Sequence, residues 1–372
     1  MLLSQVASLD TSLSSNFKRP CGYGHANEYM DRRIKRNTDA ATLAALSLVF
    51  IAISTIMISH NYFATAILAY SKPNQVNSDI TEDSLDIYNI PLKKVHVGDI
   101  DVAYKIFGKG NNTIILINGA GENMNFWDPH FLKELSANNS VIVFDSRGIG
   151  NSTLGNKPFT ISQFANDTAG LLDALKINKK VDVLGFSLGS LTAQELTLGH
   201  PEKVNKLILY ASSCGGKQAT PPTPAILKDF AILGNPEIQK NMSYVQNVKV
   251  QGDLLFPKKW IQENPNYVEK LPKPGELINP VILKRQAFST FPSFMQTCSC
   301  NLVGTIKVPT LVIVGTEDAS IPVPNSLVLA ERIPGAWLVQ IHGGGHGALW
   351  QYPDEFGRVL QTFLTTTTDP SR

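Results

Sequence analysis

Short apolar runs alternate with longer stretches of helical periodicity from about residue 89 onward. Several runs are apolar nearly throughout, as strands buried on both faces of a parallel sheet are. The predicted strands are Val102–Phe107, Thr113–Ile117, Ser140–Phe144, Val181–Leu184, Val204–Tyr210, Thr310–Val314 and Trp337–Ile341, and the helices between them include Ile161–Leu175, Leu188–Leu198 and Pro353–Phe363. This alternation predicts an α/β fold, a doubly wound and mostly parallel sheet.

One stretch interrupts the alternation. Residues 214–305 combine Pro-rich turns with short amphipathic pieces, which predicts an inserted, mainly helical cap. The cap divides the predicted core into residues 89–213 and 306–366, and residues 367–372 form a C-terminal tail.

An apolar segment precedes the predicted core. Between Ala40 and Ser71 there is no Asp, Glu, Lys or Arg, and a helix of about 20 apolar residues crosses a membrane. A cleaved signal peptide fits poorly, because the polar residues 1–39 come first. We therefore expect one transmembrane helix at 40–70, followed by a linker at 71–88.

The charges beside this segment set its expected direction. Arg32, Arg33, Lys35 and Arg36 come before it, and Lys72, Asp79, Glu82, Asp83 and Asp86 follow it. Positive charge stays on the cytoplasmic side of a membrane. We expect a single-pass membrane protein with residues 1–39 in the cytoplasm and the predicted α/β domain outside it.

Composition narrows the function classes. A formal net charge of +2 over 372 residues, without a long basic run, gives no reason to expect a nucleic-acid partner. The four cysteines are too few for a disulfide scaffold and do not complete a zinc set. No Gly-x-Gly-x-x-Gly or Walker-type loop occurs, so we expect neither a cofactor nor a metal.

A nucleophile motif follows one of the predicted strands. Gly185-Phe186-Ser187-Leu188-Gly189 lies between the strand Val181–Leu184 and a helical run. A serine there occupies a tight turn at a helix N-terminus, where the helix dipole favours developing negative charge. The alternative, a Gly-rich turn of a nucleotide-binding fold, lacks a supporting phosphate loop. Ser187 is therefore the candidate nucleophile.

A serine nucleophile needs a base, and the base needs an orienting acid. His346 lies in the Gly-rich loop after the last strand, while its rival His342 lies at the end of that strand. Asp318, with Glu317 as its rival, follows the strand Thr310–Val314. We predict His346 as the base and Asp318 as the acid.

The tetrahedral oxyanion of such a reaction needs hydrogen-bond donors. Asn118-Gly119-Ala120-Gly121 ends a strand with small residues that allow backbone to approach the site. We predict that the oxyanion hole consists of the N–H groups of Ala120 and Leu188.

Taken together, these motifs resemble the α/β-hydrolase family with an inserted cap, over roughly Val95 to Leu364. The order Ser, Asp, His is that of this family. Asn118 stands where the family more often has His, which alters the neighbouring hydrogen bonds. Asp145 to Ser152 is similar to the family's Asp-x-Arg-Gly-x-Gly-x-Ser turn, which we expect to be structural, with Arg147 pairing locally.

The resemblance implies a serine hydrolase that cleaves carboxylic esters through an acyl-serine, with a small apolar ester as substrate. Other activities with similar sequences stay open: a carbon–carbon bond hydrolase, a hydroxynitrile lyase, a cofactor-free haloperoxidase or perhydrolase, and a ligand receptor without catalysis. The sequence does not indicate an oligomeric state.

Two features of the cap have open interpretations. Its aromatic residues either line an apolar substrate pocket or hold the cap on the core: Phe256, Trp260, Tyr267, Phe288, Phe291 and Phe294. Cys214 lies where the cap leaves the core, and Cys298 and Cys300 lie near its return. A disulfide from Cys214 to either would join the two ends of the cap, and free or buried thiols are the alternative.

Overall fold

The computed structural model describes residues 85–271, 279, 281–286 and 298–366. They belong to a unit of residues 79–372, and the other unit, residues 1–78, lies outside the described residues.

Eight strands form one sheet. They are β1 (Lys93–Val97), β2 (Ile100–Phe107), β3 (Asn112–Ile117), β4 (Asn139–Phe144), β5 (Val181–Phe186), β6 (Val204–Tyr210), β7 (Thr310–Gly315) and β8 (Trp337–Ile341). Their order is β1-β2-β4-β3-β5-β6-β7-β8. The first two pairs are antiparallel and the rest are parallel. The predicted mostly parallel α/β sheet is confirmed.

Helices follow most of the parallel strands. They are α1 (Pro129–Asn138), α2 (Ile161–Ala174), α3 (Leu188–Gly199), α4 (Pro224–Leu233), α5 (Pro236–Lys240), α6 (Tyr244–Leu255), α7 (Lys258–Glu263), α8 (281–286), α9 (Cys298–Leu302), α10 (Pro324–Arg332), α11 (Ala348–Gln351) and α12 (Pro353–Thr365). Short 3-10 turns occur at Ile87–Asn89, Met124–Phe126, Gly216–Gln218, Tyr267–Lys270 and Val303–Thr305.

The central strands are buried on both faces. Every residue of β5 and of β7 is buried, and apolar side chains form one large cluster on each face of the sheet. Alternate residues of a strand point to opposite faces. A strand between two apolar layers therefore needs apolar side chains throughout, which explains the continuous apolar runs in the sequence.

The described residues between β6 and β7 include helices α4 to α9, in the predicted cap. Three of its aromatic residues, Phe256, Trp260 and Tyr267, are buried. The ring of Phe256 lies 4.7 Å from that of Trp260 and 6.0 Å from that of Tyr267. These three rings pack against one another and the core. Phe288, Phe291 and Phe294 lie outside the described residues.

A disulfide joins the two ends of the segment between β6 and β7. It links Cys214 to Cys300, whose Cα atoms are 4.5 Å apart and which are separated by 86 positions in the chain. Of the two pairings that the sequence left open, the structure has the one with Cys300.

The prediction of a transmembrane helix does not hold. Residues 40–70 lie outside the described residues, and none of the helices that the structure describes is long and apolar enough to cross a membrane. The longest of them, α2, has 14 residues, whereas a spanning helix needs about 20. The described residues therefore form an α/β fold in which no helix could span a membrane.

The predicted localisation, with a cytoplasmic N-terminus and an external catalytic domain, is wrong for the same reason, as is the predicted membrane contact. A charge bias orients only a helix that crosses the membrane, and none of the described residues belongs to a helix that could do so. The tails at 1–39 and 367–372 and most of the 71–88 linker also lie outside the described residues.

Candidate active site

Ser187 occupies the sharp turn between β5 and α3. Its backbone has φ 54° and ψ −118°, in the left-handed half of the map that non-glycine residues rarely adopt, at a cost of about 1–3 kcal/mol. Its N–H donates to the carbonyl of Tyr210 at 3.1 Å, and its carbonyl accepts from the N–H of Ser190 at 3.0 Å. These bonds hold the strained turn, which presents the serine at the start of a helix.

The glycines on either side of this turn leave room for close backbone packing. A Cβ on Gly185 would lie 2.3 Å from the carbonyl oxygen of Gly189, and a Cβ on Gly189 would lie 2.1 Å from that of Ile117. Neither contact is sterically possible, so only glycine fits at these two positions.

His346 bridges Ser187 and Asp318. Its Nε2 lies 3.1 Å from Oγ of Ser187, and its Nδ1 lies 2.9 Å from Oδ2 of Asp318. The side chain of Asp318 is fully buried and that of His346 is 6 % exposed. A buried carboxylate at Nδ1 favours the tautomer with its proton on that nitrogen, which leaves Nε2 free to accept the serine proton.

Backbone donors fix the carboxylate in turn. Oδ1 of Asp318 accepts from the N–H of Ser320 at 2.9 Å and from that of Ile321 at 2.7 Å. With Oδ1 held by these donors, Oδ2 faces the imidazole. Glu317, the rival in the sequence, has no such contact with His346 among the described residues.

Aromatic side chains position the His346 loop. The ring of Phe186 lies 4.9 Å from the imidazole and 4.8 Å from the ring of Tyr210. The hydroxyl of Tyr210 donates to the carbonyl of His346 at 2.6 Å and accepts from the N–H of Leu349 at 3.0 Å. A residue of β6 thus fixes the loop that carries the histidine.

The two predicted oxyanion donors lie on opposite sides of Ser187 in the sequence. Ala120 and Ser187 line the same cavity. Leu188 is the first residue of α3, and the first N–H groups of a helix have no acceptor within it. The neighbouring Asn118 is buried and donates through Nδ2 to the carbonyl of Asn123.

Glu122 is a buried acid in the same loop. It is 8 % exposed, and its Oε2 accepts from the N–H of Gly119 at 2.8 Å. Burial raises the pKa of Glu122 to about 8, although the Gly119 bond opposes the shift. Because a buried carboxylate without a cation is costly, this environment favours the protonated carboxyl group at neutral pH.

The cavity beside Ser187 is mainly apolar. Besides Ala120, Glu122, Ser187, Gln251 and His346, its lining consists of Phe126, Phe230, Leu233, Leu254, Leu255 and Leu283. Five of these six apolar side chains, all but Phe126, come from α4, α6 and α8, so the segment between β6 and β7 covers the cavity. No Lys or Arg occurs among the described lining residues.

None of the residues from Asp145 to Ser152 belongs to the described lining of the cavity beside Ser187. Arg147 is buried and makes two-point hydrogen bonds with Asp167 and with Asp99, and these two carboxylates raise its pKa. These carboxylates are distant in the chain, while a local hydrogen bond joins Nη1 of Arg147 to the carbonyl of Leu154 at 3.3 Å. Asp145 accepts from the N–H of Met124 at 2.7 Å, which ties this turn to the loop that carries Ala120.

A family model described as the alpha/beta hydrolase fold matches residues 112–353. This span includes β3 to β8, Ser187, Asp318 and His346. The chain belongs to the α/β-hydrolase family. The resemblance seen in the sequence is therefore confirmed.

This hydrolase is similar to several other proteins. One is a proposed carbamate hydrolase, RutD, from Azorhizobium caulinodans, 28 % identical over 268 residues, which are 72 % of this chain and 96 % of the relative. Another is a 2-hydroxy-6-oxononadienedioate/2-hydroxy-6-oxononatrienedioate hydrolase from a Pseudomonas species, 25 % identical over 77 % of this chain and 95 % of the relative. Among solved structures, Est816, described as an N-acyl homoserine lactone degrading enzyme, is 26 % identical with a TM-score of 0.57, over 73 % of this hydrolase and 100 % of Est816.

The structure brings all five predicted site residues to one place on the sheet's carboxyl edge: Ser187, Leu188, Asp318, His346 and Ala120. Sequence reasoning missed Glu122 and Gln251 as lining residues. Glu122 directly follows the predicted oxyanion loop, so its position could have pointed to the site. Nothing in the sequence of α6 distinguishes Gln251 from a solvent-facing glutamine.

Proposed function

We propose that this α/β hydrolase cleaves carboxylic esters through an acyl intermediate on Ser187. The observation that carries the proposal is the position of His346, within hydrogen-bond distance of both Ser187 and Asp318. A serine hydroxyl with an oriented base can attack a carbonyl carbon at neutral pH.

The first half of the reaction acylates the serine. Nε2 of His346 takes the hydroxyl proton as Oγ of Ser187 bonds to the ester carbonyl carbon. Asp318 stabilises the imidazolium that forms, and the N–H groups of Ala120 and Leu188 donate to the oxyanion. When the tetrahedral intermediate collapses, the carbon–oxygen bond of the ester breaks and His346 gives its proton to the leaving alcohol.

The second half removes the acyl group. His346 takes a proton from water, which attacks the acyl carbon. The bond between that carbon and Oγ then breaks, the proton returns to Ser187, and a carboxylic acid leaves. Each step uses the same base and the same two N–H donors, so no further catalytic group is needed.

The lining of the cavity supports an uncharged substrate. Six large apolar side chains belong to its described lining, and burial raises the pKa of Glu122, the one acidic residue of that described lining, to about 8. A substrate carboxylate would find no cation among the described lining residues, and burying an unpaired charge is strongly unfavourable. A neutral acyl chain fits this environment.

Hydrolysis of a carbon–carbon bond is the second candidate, because one of the similar enzymes is named for a hydroxy-oxo-dienedioate. Such a compound carries two carboxylates. The lack of a described Lys or Arg in the lining supports an ester over a dicarboxylate. Measuring both activities on one preparation separates the candidates.

Replacing the nucleophile tests the proposal. Ser187→Ala should lower kcat for p-nitrophenyl butanoate by about 10⁶ without loss of folding, because the change removes one hydroxyl from a strained turn. Ser136→Ala, a partly buried serine on α1, is the matched control and should keep wild-type activity. A Ser187→Ala protein that keeps a tenth of the activity would remove Ser187 as the nucleophile.

A further inference from the structure

Gln251 is an unexplained polar residue in the apolar part of the cavity. It lies on α6, is 2 % exposed, and lines the cavity with Ser187 and His346. Its Oε1 is buried and has no hydrogen-bond partner among the described residues. Leaving a buried acceptor unsatisfied costs about 1–3 kcal/mol, so a group that satisfies it on binding would be favoured.

A chain of three amides fixes which end of Gln251 is left without a partner. Nε2 of Gln239 donates to the carbonyl of Ile232 at 3.2 Å, and a carbonyl can only accept. Oε1 of Gln239 therefore accepts from Nδ2 of Asn247. Oδ1 of Asn247 in turn accepts from Nε2 of Gln251 at 2.9 Å.

The donor-to-acceptor direction of these hydrogen bonds fixes which way the Gln251 amide faces. Turning the Gln251 amide over would bring its oxygen against Oδ1 of Asn247, and two acceptors would then face each other. Gln251 must keep its NH₂ group toward Asn247. The last atom of this series of amides, Oε1 of Gln251, is therefore a hydrogen-bond acceptor. Its orientation is fixed by the carbonyl of Ile232, through the side chains of Gln239 and Asn247.

We propose that the substrate carries a hydrogen-bond donor, a hydroxyl or an N–H group, that binds Oε1 of Gln251 in this cavity. This inference rests on the proposed ester hydrolysis and adds the substrate class to it. The substrate is then an ester whose acyl or alcohol part bears one such group on an otherwise apolar frame.

Glu122 is a second polar side chain in the described lining of the same cavity. Its neutral carboxyl group can both donate and accept. A hydroxyl can accept from a protonated carboxyl group and donate to an amide oxygen, so it is compatible with both kinds of polar group in this lining. The other described lining residues are mainly apolar and offer few other polar partners.

Matched esters test the inference. One pair varies the acyl part, p-nitrophenyl β-hydroxybutanoate against its β-methoxy analogue. The other varies the alcohol part, hydroxyethyl butanoate against methoxyethyl butanoate. In each pair the oxygen is kept and only the donor is lost. In at least one pair we expect the wild-type enzyme to prefer the hydroxyl compound about tenfold in kcat/KM, from one satisfied buried acceptor.

Two variants separate a role for the amide oxygen from a general effect on the cavity. Gln251→Met keeps the size of the side chain and removes the acceptor, so the preference should fall to about one. Asn247→Leu frees the Gln251 amide to turn over and offer its NH₂ group to an ether oxygen, which should also reduce the preference. Leu254→Met changes an apolar lining residue and should alter rates without changing the ratio.

The outcomes are distinct. A wild-type enzyme that hydrolyses these esters with no preference in either pair overturns the inference and leaves the proposed function intact. A preference that persists in folded Gln251→Met also overturns it, and the wild-type ratios decide the matter even if that variant does not fold. Failure to hydrolyse any of the four esters would instead count against the proposed function.

Discussion

Glu122 shows how a single buried side chain couples the candidate site to pH. Its carboxyl group accepts one backbone hydrogen bond, and burial raises its pKa from 4.5 to about 8. The folded protein therefore holds a proton that the unfolded chain releases above about pH 4.5. The contribution of Glu122 to the free energy of unfolding is therefore fully present below about pH 4.5. It is lost as the pH rises toward 8.

Glu122→Gln should remove this dependence. The amide keeps the shape of the neutral acid and cannot ionise. As pH rises, the wild type should therefore lose stability relative to the variant, and the free energy of unfolding of the variant minus that of the wild type should increase. We expect the difference to grow by a few kcal/mol between about pH 5 and about pH 9. Urea unfolding of both proteins at each pH measures it.

The difference between the two proteins isolates Glu122, because all other titrating groups are common to both. A difference that stays constant over that pH range would show that Glu122 is not held neutral in the folded protein.

The proposed oxyanion donor at Ala120 is also testable at the level of one N–H group. Ala120→Pro deletes that donor and should lower kcat about 10²- to 10³-fold, whereas Ala120→Ser keeps the donor and should have a mild effect. Both variants need a thermal unfolding curve, because proline can also disturb the loop. Equal losses in two folded variants would refute the role of the N–H group.

Local sequence identified the residues that carry a recognisable spacing. Ser187 lies in a Gly-x-Ser-x-Gly motif, and Gly185 and Gly189 are needed because backbone atoms approach them within van der Waals distance. Gln251 and Glu122 carry no such signal. Their importance comes from tertiary contacts, the amide chain to Gln239 and the burial of the loop, which a sequence pattern does not contain.

At the scale of the elements, the segment between β6 and β7 contributes most of the apolar lining of the cavity through α4, α6 and α8. Its aromatic residues had two interpretations, and Phe256, Trp260 and Tyr267 pack into the core. The sequence could not separate the two interpretations. An aromatic residue that faces a cavity and one that packs in a core look the same in a sequence. The described lining instead uses leucines, with Phe230 of α4 and with Phe126 of the 3-10 turn that follows the predicted oxyanion loop.

The disulfide at the ends of this segment gives a prediction for stability. Opening the Cys214–Cys300 link releases a loop of 86 positions, which the chain-entropy model values at about 4–5 kcal/mol. Replacing both cysteines by Ala should lower the free energy of unfolding by about 2–5 kcal/mol. Urea unfolding of the double variant measures this loss.

Reducing agent provides the control. It should destabilise the wild type and leave the double variant unchanged. If both thiols of the wild type react with a maleimide reagent without prior reduction, the disulfide is absent in solution and the prediction fails.

At the scale of the whole molecule, the sheet was the most predictable feature. Seven of its strands were visible as apolar runs because both faces of the sheet are covered. The strand β1 was missed, since it lies at the edge of the sheet with three of its five residues exposed. An edge strand with polar residues on its open side has no continuous apolar run.

The membrane helix was the largest error of the sequence interpretation. That prediction depends only on the length and hydropathy of residues 40–70. The predicted topology depends on the helix in turn, because it uses the charges on either side of it. Among the described residues no helix could cross a membrane. The candidate site does not depend on that segment, because β3 to β8 and the loops that follow them position Ser187, Asp318 and His346.

The most direct test of acyl transfer on Ser187 is to observe the acyl-enzyme. Wild-type protein mixed rapidly with p-nitrophenyl butanoate should release a burst of about one p-nitrophenolate per active site, and quenched protein should gain the mass of one butanoyl group on the peptide that contains Ser187. Ser187→Ala should show neither signal. Two results would contradict acyl transfer on Ser187. One is a wild-type enzyme that hydrolyses the ester but carries the butanoyl group on another residue, and the other is a Ser187→Ala protein that gives the same burst.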